Sequence, residues 1–324
     1  MGRDIGLFLL AKGESVTWAS RNNDSVEKHK KSISKAVHRI EIIASVHIPD
    51  KNFTVETYGN ISEHYDLVIE NIIEDLQCKQ EIFNQIKSNI SEKPILTSNS
   101  SSILPERMAN NVIGLHFFYP IEMAKIVEVI FPAGVLQSQK EKLLNWLENL
   151  GLEYLVQTEK NAFAVNRLLL PVQAEVFNLL ISGIPADIVE TCSTAGLFPF
   201  GQLTFMDSVG LDVLMPAVKN YTERYKGSKD TNFENLIYGL NQLLTMGKLG
   251  RKNRNGLLVG DSLPWKTDLN KTYNKQELED HFKKIFMITC SNFLADQQFS
   301  EKELNLVLNN IFNINKSWRE LIKS

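Results

Sequence analysis

Residues 98–130 read SNSSSILPERMANNVIGLHFFYPIEMAKIVEVI, directly after the apolar run PILT at 94–97. Within them lie two further apolar runs, VIGLHFF (112–118) and AKIVEVI (124–130), separated by five residues that include a proline. Each run has one ionisable residue at its centre, His116 and Glu128. Two β-type runs joined by a loop of about five residues predict a hairpin. With Phe118 opposite Ala124, His116 and Glu128 share a face as diagonal neighbours. A shift of one pair sets them directly opposite. In either register a long carboxylate reaches the imidazole.

Such a pair has a chemical use. A carboxylate bonded to one ring nitrogen fixes the tautomer, leaves proton uptake to the other nitrogen and stabilises the imidazolium that results. The alternative is a buried histidine satisfied by a nearby acid in a structural ion pair.

The stretch resembles the 3-hydroxyacyl-CoA dehydrogenases, whose mark is an S-N-T-S-S turn, then H-F-F-N-P and K-x-V-E-V-I. Here these are SNSSS (98–102), HFFYP (116–120) and KIVEVI (125–130). The resemblance extends in order to about residue 259. It implies an α/β Rossmann-like dinucleotide-binding domain followed by an all-α C-terminal domain.

The 324 residues are 43% hydrophobic and 23% charged with net charge −3, values of a globular protein with room for two domains. Near-neutral charge argues against a nucleic-acid partner. No apolar run approaches a membrane span, and the first residues do not read as a signal peptide. Gly6 stands where a myristoylation signal wants Ser or Thr. Three widely spaced cysteines, Cys78, Cys192 and Cys290, point to a reducing compartment such as the cytoplasm, without disulfides or a zinc site.

Residues 3–12, 24–45, 75–90 and 137–150 read as helices. SVTWAS (15–20), FTVETY (53–58), DLVIENI (66–72), PILTS (94–98) and the two hairpin runs read as strands. This alternation predicts an α/β domain with a mostly parallel sheet over 1–158. Dinucleotide-binding domains open with a strand and G-x-G-x-x-G. Here Met1-Gly2 matches only the end of that motif, Gly2 being its third glycine. A domain lacking the preceding strand has two facing strand edges unpaired. An upstream start or a remnant product would each explain this beginning. At the end of the second strand the family has an acid for the adenine ribose. Ser20 stands there, followed by Arg21 and Asn22, a pair that admits a 2′-phosphate. The resemblance implies NAD, with NADP possible. It places Asn71 and Glu74 beside the nicotinamide, Lys79 close to cofactor or substrate, and Asn99 and Ser101 at the nicotinamide and the substrate's 3-oxygen. A Ser-rich turn is otherwise a common helix cap.

From 159 the strand pattern ends. KNAFAVNRLLLPVQAEVFNLL (160–180) is an apolar-periodic helix resembling P-G-F-x-V-N-R-L-L-x-P, with Asn161-Ala162 for Pro-Gly. Asn166 matches the family's active-site amide. LFPFGQLTFMDSVGLDV (197–213) and GKLGRKNRNGLLV (247–259) resemble the remaining motifs of a helical domain over 159–259. Residues 260–324 read as additional helix, a degenerate second copy of 161–195 or a helical cap. The other histidines, 29, 38, 47, 64 and 281, read as surface residues.

The function implied is interconversion of an (S)-3-hydroxyacyl-CoA and its 3-oxoacyl-CoA, in a homodimer formed through the helical domain. His116 takes the hydroxyl proton, Glu128 orients it, and Ser101 and Asn166 hold the oxygen. Tyr119, where the family has Asn, bears on the acyl pocket. A catalytically silent remnant and the dehydrogenase portion of a multifunctional β-oxidation protein are the alternatives. His116→Gln is expected to remove most turnover of acetoacetyl-CoA with NADH while leaving circular dichroism unchanged. Surviving turnover contradicts the assignment.

Overall fold

The structure is a computed structural model describing all residues except 22, 45–46, 62–63, 91–92, 225–231, 261, 269–271, 296–298 and 324. Asn22 therefore lies outside the described residues. The chain forms two compact units, Met1–Ala162 and Phe163–Ser324.

The first unit runs α1 (Gly2–Ala11), β1 (Val16–Ser20), α2 (Asn23–Ala44), β2 (Phe53–Thr57), β3 (Leu67–Glu70), α3 (Leu76–Asn89), β4 (Ile95–Ser98), α4 (Pro105–Met108), β5 (Ile113–Phe117), α5 (Ile121–Ala124), β6 (Ile126–Phe131), α6 (Gln137–Asn149) and β7 (Glu153–Thr158). Strands β1 and β2 pair in parallel as a two-stranded sheet, apart from a five-stranded sheet of order β3-β4-β5-β6-β7. The larger sheet is parallel except for the β5–β6 pair. The mostly parallel sheet expected from the sequence is therefore present but divided.

Strand IVEVIF (β6) is buried at every position, as a central strand covered on both faces should be. One face of the sheet packs Leu115, Phe117, Val127 and Val129 with Leu143 and Leu147 of α6 and Phe8 of α1. Toward the β3–β4 edge, the other face packs against Ile82, Phe83 and Ile86 of α3. Helix α2 turns Ile33 and Val37 toward β1 and β2. Helix α1 lies against β1 because residue 6 has no side chain: a Cβ there would stand 2.3 Å from the Trp18 ring. The Trp18 indole also donates to the Gly2 carbonyl at 3.3 Å.

One strand here was not expected from the sequence, and a register that the sequence left open is decided. Strand β7 was not anticipated, because EYLVQT has a clear apolar alternation on neither side of a Gly-Leu junction. The β5–β6 connection covers 118–125 and contains a helical turn, α5. Of the two registers open from the sequence, the longer connection goes with the second. His116 stands directly across from Glu128.

The second unit is helical: α7 (Ala164–Ile181), α8 (Ala186–Cys192), α9 (Gln202–Val209), α10 (Leu211–Arg224), α11 (Glu234–Thr245), α12 (Lys275–Ala295), α13 (Glu301–Asn310) and α14 (Trp318–Leu321). Helix α7 is long and apolar enough by composition to cross a membrane, which the sequence reading overlooked, but 67% of it is buried inside the structure. That burial is what a core helix requires. Residues 260–324 belong to the same unit as 163–259. Phe198, Phe286 of α12 and Phe312 meet edge to face, with ring centroids 5.0–5.9 Å apart.

The 197–259 motifs form a clasp. The Asp207 carboxylate, 2% exposed, accepts from the backbone N–H groups of Leu257 (2.8 and 3.0 Å) and Leu258 (3.1 Å). Fully buried Lys248 donates to the Asn255 amide oxygen at 2.8 Å and the Gly256 carbonyl at 3.1 Å. Gly250 has φ +90°, and a Cβ there would meet the Asp207 carbonyl oxygen at 2.4 Å. Gly250→Ala therefore strains both backbone and packing. It should cost on the order of 3 kcal/mol, read as a lowered urea midpoint of the helical unit.

Candidate active site

Strand register gathers the ionisable residues of the first unit on one sheet face. Glu70, Ser98, Gly114, Ile130 and Gln157 are successive cross-strand partners, and His116 and Glu128 stand one pair further along. The absence of a side chain at Gly114 is sterically required, since a Cβ would meet Ile130 at 2.8 Å.

Glu128 has 1% of its side chain exposed and His116 has 12%. The His116 Nδ1 lies 2.8 Å from Glu128 Oε2. The other carboxylate oxygen, Oε1, accepts from Gln157 Nε2 at 2.9 Å. The imidazole also packs on Phe118, with ring centroids 4.5 Å apart and planes tilted by 56°. With Nδ1 committed to the carboxylate, proton exchange falls to Nε2. Gln157 escaped the sequence reading because its strand did. In EYLVQT the apolar residues are consecutive and the second buried position is the polar Gln157, so no alternation marked it.

The SNSSS turn is anchored from beneath. A single oxygen of Glu74 accepts from Ser100 Oγ (2.6 Å), Ser101 N (3.2 Å), Ser102 N (3.1 Å) and Ser102 Oγ (2.8 Å). Asn99 accepts through Oδ1 from the Phe117 backbone N–H at 2.8 Å, tying the turn to β5. Glu70 accepts from Ser98 Oγ at 2.5 Å and the Ile72 N–H at 2.6 Å. Lys79, 1% exposed, donates to both Glu70 oxygens at 2.9 Å and lies 3.5 Å from Glu74. The resemblance places Lys79 close to cofactor or substrate; in the structure its ammonium is held by the carboxylates of Glu70 and Glu74. Glu74 likewise serves the turn.

Tyr119 is 71% exposed where β5 ends. Ser101 is half-buried. Asn166 lies in the first turn of α7 and so belongs to the second unit. Asn161, in place of the family's proline, closes the turn after β7 by accepting from Thr158 N at 2.7 Å and Oγ1 at 3.0 Å. Among the other histidines, His281 pairs with Glu175 at 2.8 Å, and His38 and His47 flank Glu41 on the surface.

Features at the start of α1 fit a dinucleotide. Met1 provides no side-chain cap there, and the Asp4 N–H bonds the Met1 carbonyl at 2.9 Å, so an anion would be met by the N–H groups before Asp4. A Cβ on Gly2 would crowd Asn71 at 3.0 Å. Asn71 donates to the Ile69 carbonyl at 3.2 Å, while its buried Oδ1 has no partner among the described residues. That orphaned acceptor is suited to a ligand's amide or hydroxyl. Ser20 is buried at the end of β1 and Arg21 beside it is exposed.

An α/β unit with these features, followed by a helical unit, is the arrangement of a class of nicotinamide-dependent oxidoreductases. Residues 1–160 match the family model for the 3-hydroxyacyl-CoA dehydrogenase NAD binding domain, and residues 163–259 match that for the 3-hydroxyacyl-CoA dehydrogenase C-terminal domain. The chain belongs to the 3-hydroxyacyl-CoA dehydrogenase family, oxidoreductases that act on CH–OH groups. It is 29% identical over 279 residues to the mitochondrial hydroxyacyl-coenzyme A dehydrogenase of Rattus norvegicus, covering 79% of this chain and 87% of that protein. It is 28% identical over 249 residues to the fatty acid oxidation complex subunit alpha of Vibrio parahaemolyticus, covering 73% of this chain but only 32% of that larger protein. Two solved structures share the fold. The 3-hydroxybutyryl-CoA dehydrogenase of Escherichia coli K12 has a TM-score of 0.76 at 17% identity, over 98% of this chain and 88% of the other. The (S)-3-hydroxybutyryl-CoA dehydrogenase of Ralstonia eutropha has 0.68 at 24% identity, over 81% and 96%.

Removing the ammonium from the buried cluster tests its weight. Lys79→Met leaves two buried carboxylates without their cation and should cost about 3–5 kcal/mol in urea unfolding near neutral pH. In this variant the stability deficit should shrink as the pH is lowered, because protonation of the abandoned carboxylates relieves it. A midpoint within experimental error of wild type contradicts the cluster's role.

Proposed function

We propose that the chain interconverts (S)-3-hydroxyacyl-CoA and 3-oxoacyl-CoA thioesters. One observation carries this reading: the His116 Nδ1 to Glu128 Oε2 contact of 2.8 Å on a buried carboxylate, which is the arrangement of an oriented general base. In oxidation, His116 takes the C3 hydroxyl proton at Nε2, and Glu128 balances the imidazolium formed. In reduction the same nitrogen returns the proton. Ser101 and Asn166 are the donors assigned to the C3 oxygen. Gly2, Ser20, Arg21, Asn71 and Asn99 are the residues assigned to the dinucleotide, which when bound exchanges hydride with C3. Glu74 and Lys79 support that region from within. Tyr119 is assigned to the acyl side of the substrate, where its exposed ring can narrow or cover the chain.

NAD is the cofactor favoured by the family, and exposed Arg21 beside Ser20 keeps NADP in play. A cytoplasmic homodimer associating through the helical unit completes the proposal. Free cysteines support the reducing compartment: Cys192 and Cys290 are buried, and burial pushes both thiols above their ordinary range.

A second reading, a catalytically silent member of the family, is favoured by one observation, the division between the β1–β2 pair and the five-stranded sheet. Oxidation of NADH and of NADPH by the purified chain with acetoacetyl-CoA separates the two. Turnover is expected, faster with NADH. Arg21→Ala should lower kcat/KM for NADPH by roughly tenfold or more if the guanidinium meets a 2′-phosphate, a charge-assisted bond worth at least 1.4 kcal/mol. Absence of turnover from a cooperatively folded protein favours the silent reading.

A further inference from the structure

We infer that Gln157 is a third member of the proton-transfer unit, a positioning residue that holds Glu128 as the carboxylate and keeps the exchanged proton on His116. The inference rests on the proposed role of His116 and deepens it.

The parallel register of β6 and β7 sets Glu128 beside Leu155 and Ile130 beside Gln157. Gln157 is thus one pair away from Glu128 on the same face, and its long side chain reaches back across the ladder. Its Nε2 donates to Glu128 Oε1 at 2.9 Å, while Oε2 faces His116 Nδ1 at 2.8 Å. Both Glu128 and Gln157 are 1% exposed. The two carboxylate oxygens are therefore assigned to different partners, and rotation of the carboxylate would break both bonds.

The amide also acts on proton affinity. A donor bonded to a carboxylate favours its charged form, and the effect is greater where water is excluded. When Nε2 of His116 gains a proton, the Nδ1 proton has a choice between the ring and Glu128. The Gln157 N–H is a donor and is matched to an ionised Oε1, so the bond is complementary to an imidazolium–carboxylate pair. Proton and charge balance within the pair: one proton enters at Nε2, none leaves Nδ1, and the net charge rises by one. The amide itself has no proton to exchange near neutral pH, so it tunes the pair without joining its titration.

Other charged groups face this pair among the described residues of the unit. On β7, Glu153 lies on the same face at the exposed start of the strand, and Glu159 follows the strand's end. Across the sheet, Glu70 and Glu74 are held by Lys79 of α3. Between them β4 contributes Ser98, which is neutral, and Lys125 before β6 is exposed.

The experiment uses the full chain with Gln157→Met, which keeps length and burial but lacks the donor, and Gln157→Glu, which adds a second acid. The pH dependence of kcat/KM is measured together with titration of the 15N-labelled His116 ring. Gln157→Met is expected to move the acid limb and the ring's titration midpoint upward by roughly half to one pH unit. Gln157→Glu should move them further, because a second carboxylate increases the proton affinity of the cluster. A merely packing role predicts a pH-independent loss with the wild-type midpoint in both variants, and that result overturns the inference. If Gln157→Met does not fold, Gln157→Glu decides alone. The ring titration needs no turnover, so an inactive wild type would count against the proposed function while the midpoint still judged Gln157.

Discussion

A carboxylate cannot be withdrawn from water unless donors replace the water. The five-stranded sheet buries two on one face, Glu70 and Glu128, and much of the first unit is arranged to answer them. Glu70 takes Lys79, Ser98 and the Ile72 amide. Glu128 takes His116 and Gln157. Ile72 follows β3, and the other partners come from α3, β4, β5 and β7, so the bonds depend on all five strands being in register. A slip of one residue would turn these carboxylates toward the apolar face lined by Leu115, Val127 and Leu143. Folding and the assembly of the site are in this sense a single event.

The helical unit solves a related problem with backbone donors. The 247–259 segment has little regular structure and must find partners for its peptide groups. Asp207 and Lys248 supply them from buried positions, and Gly250 and Gly256 permit the close approach. Residues that resemble a functional signature here hold a loop.

Much of the architecture was legible in the sequence because period-2 and period-3.6 patterns separate well in the first 150 residues. The hairpin, its two ionisable residues and most helix spans came directly from alternation. Register did not, since it depends on a connection whose helical turn, Ile121–Ala124, leaves no distinctive signal. Strand β7 was missed because its apolar positions are few and interrupted by Gln157, and with it went the third partner of Glu128. Lys79 illustrates another limit. An exposed ligand contact and a buried counter-ion look alike in a sequence, and only the Glu70 geometry nine residues away distinguishes them. Family resemblance supplied Ser101, Asn99 and Asn166, which spacing alone could not have selected.

The tilted packing of Phe118 on His116 has a spectroscopic consequence. An aromatic ring with its centroid 4.5 Å from an imidazole places that imidazole in its induced magnetic field. The chain has six histidines, and those at 29, 38, 47 and 64 are exposed. The His116 resonances should therefore be displaced by the neighbouring ring, and more strongly than those of His281, whose ring centroid is 6.4 Å from that of Phe282. The histidine paired with Glu128 carries its own reporter, and changes in its surroundings can be followed without a bound ligand or an added label at any other site.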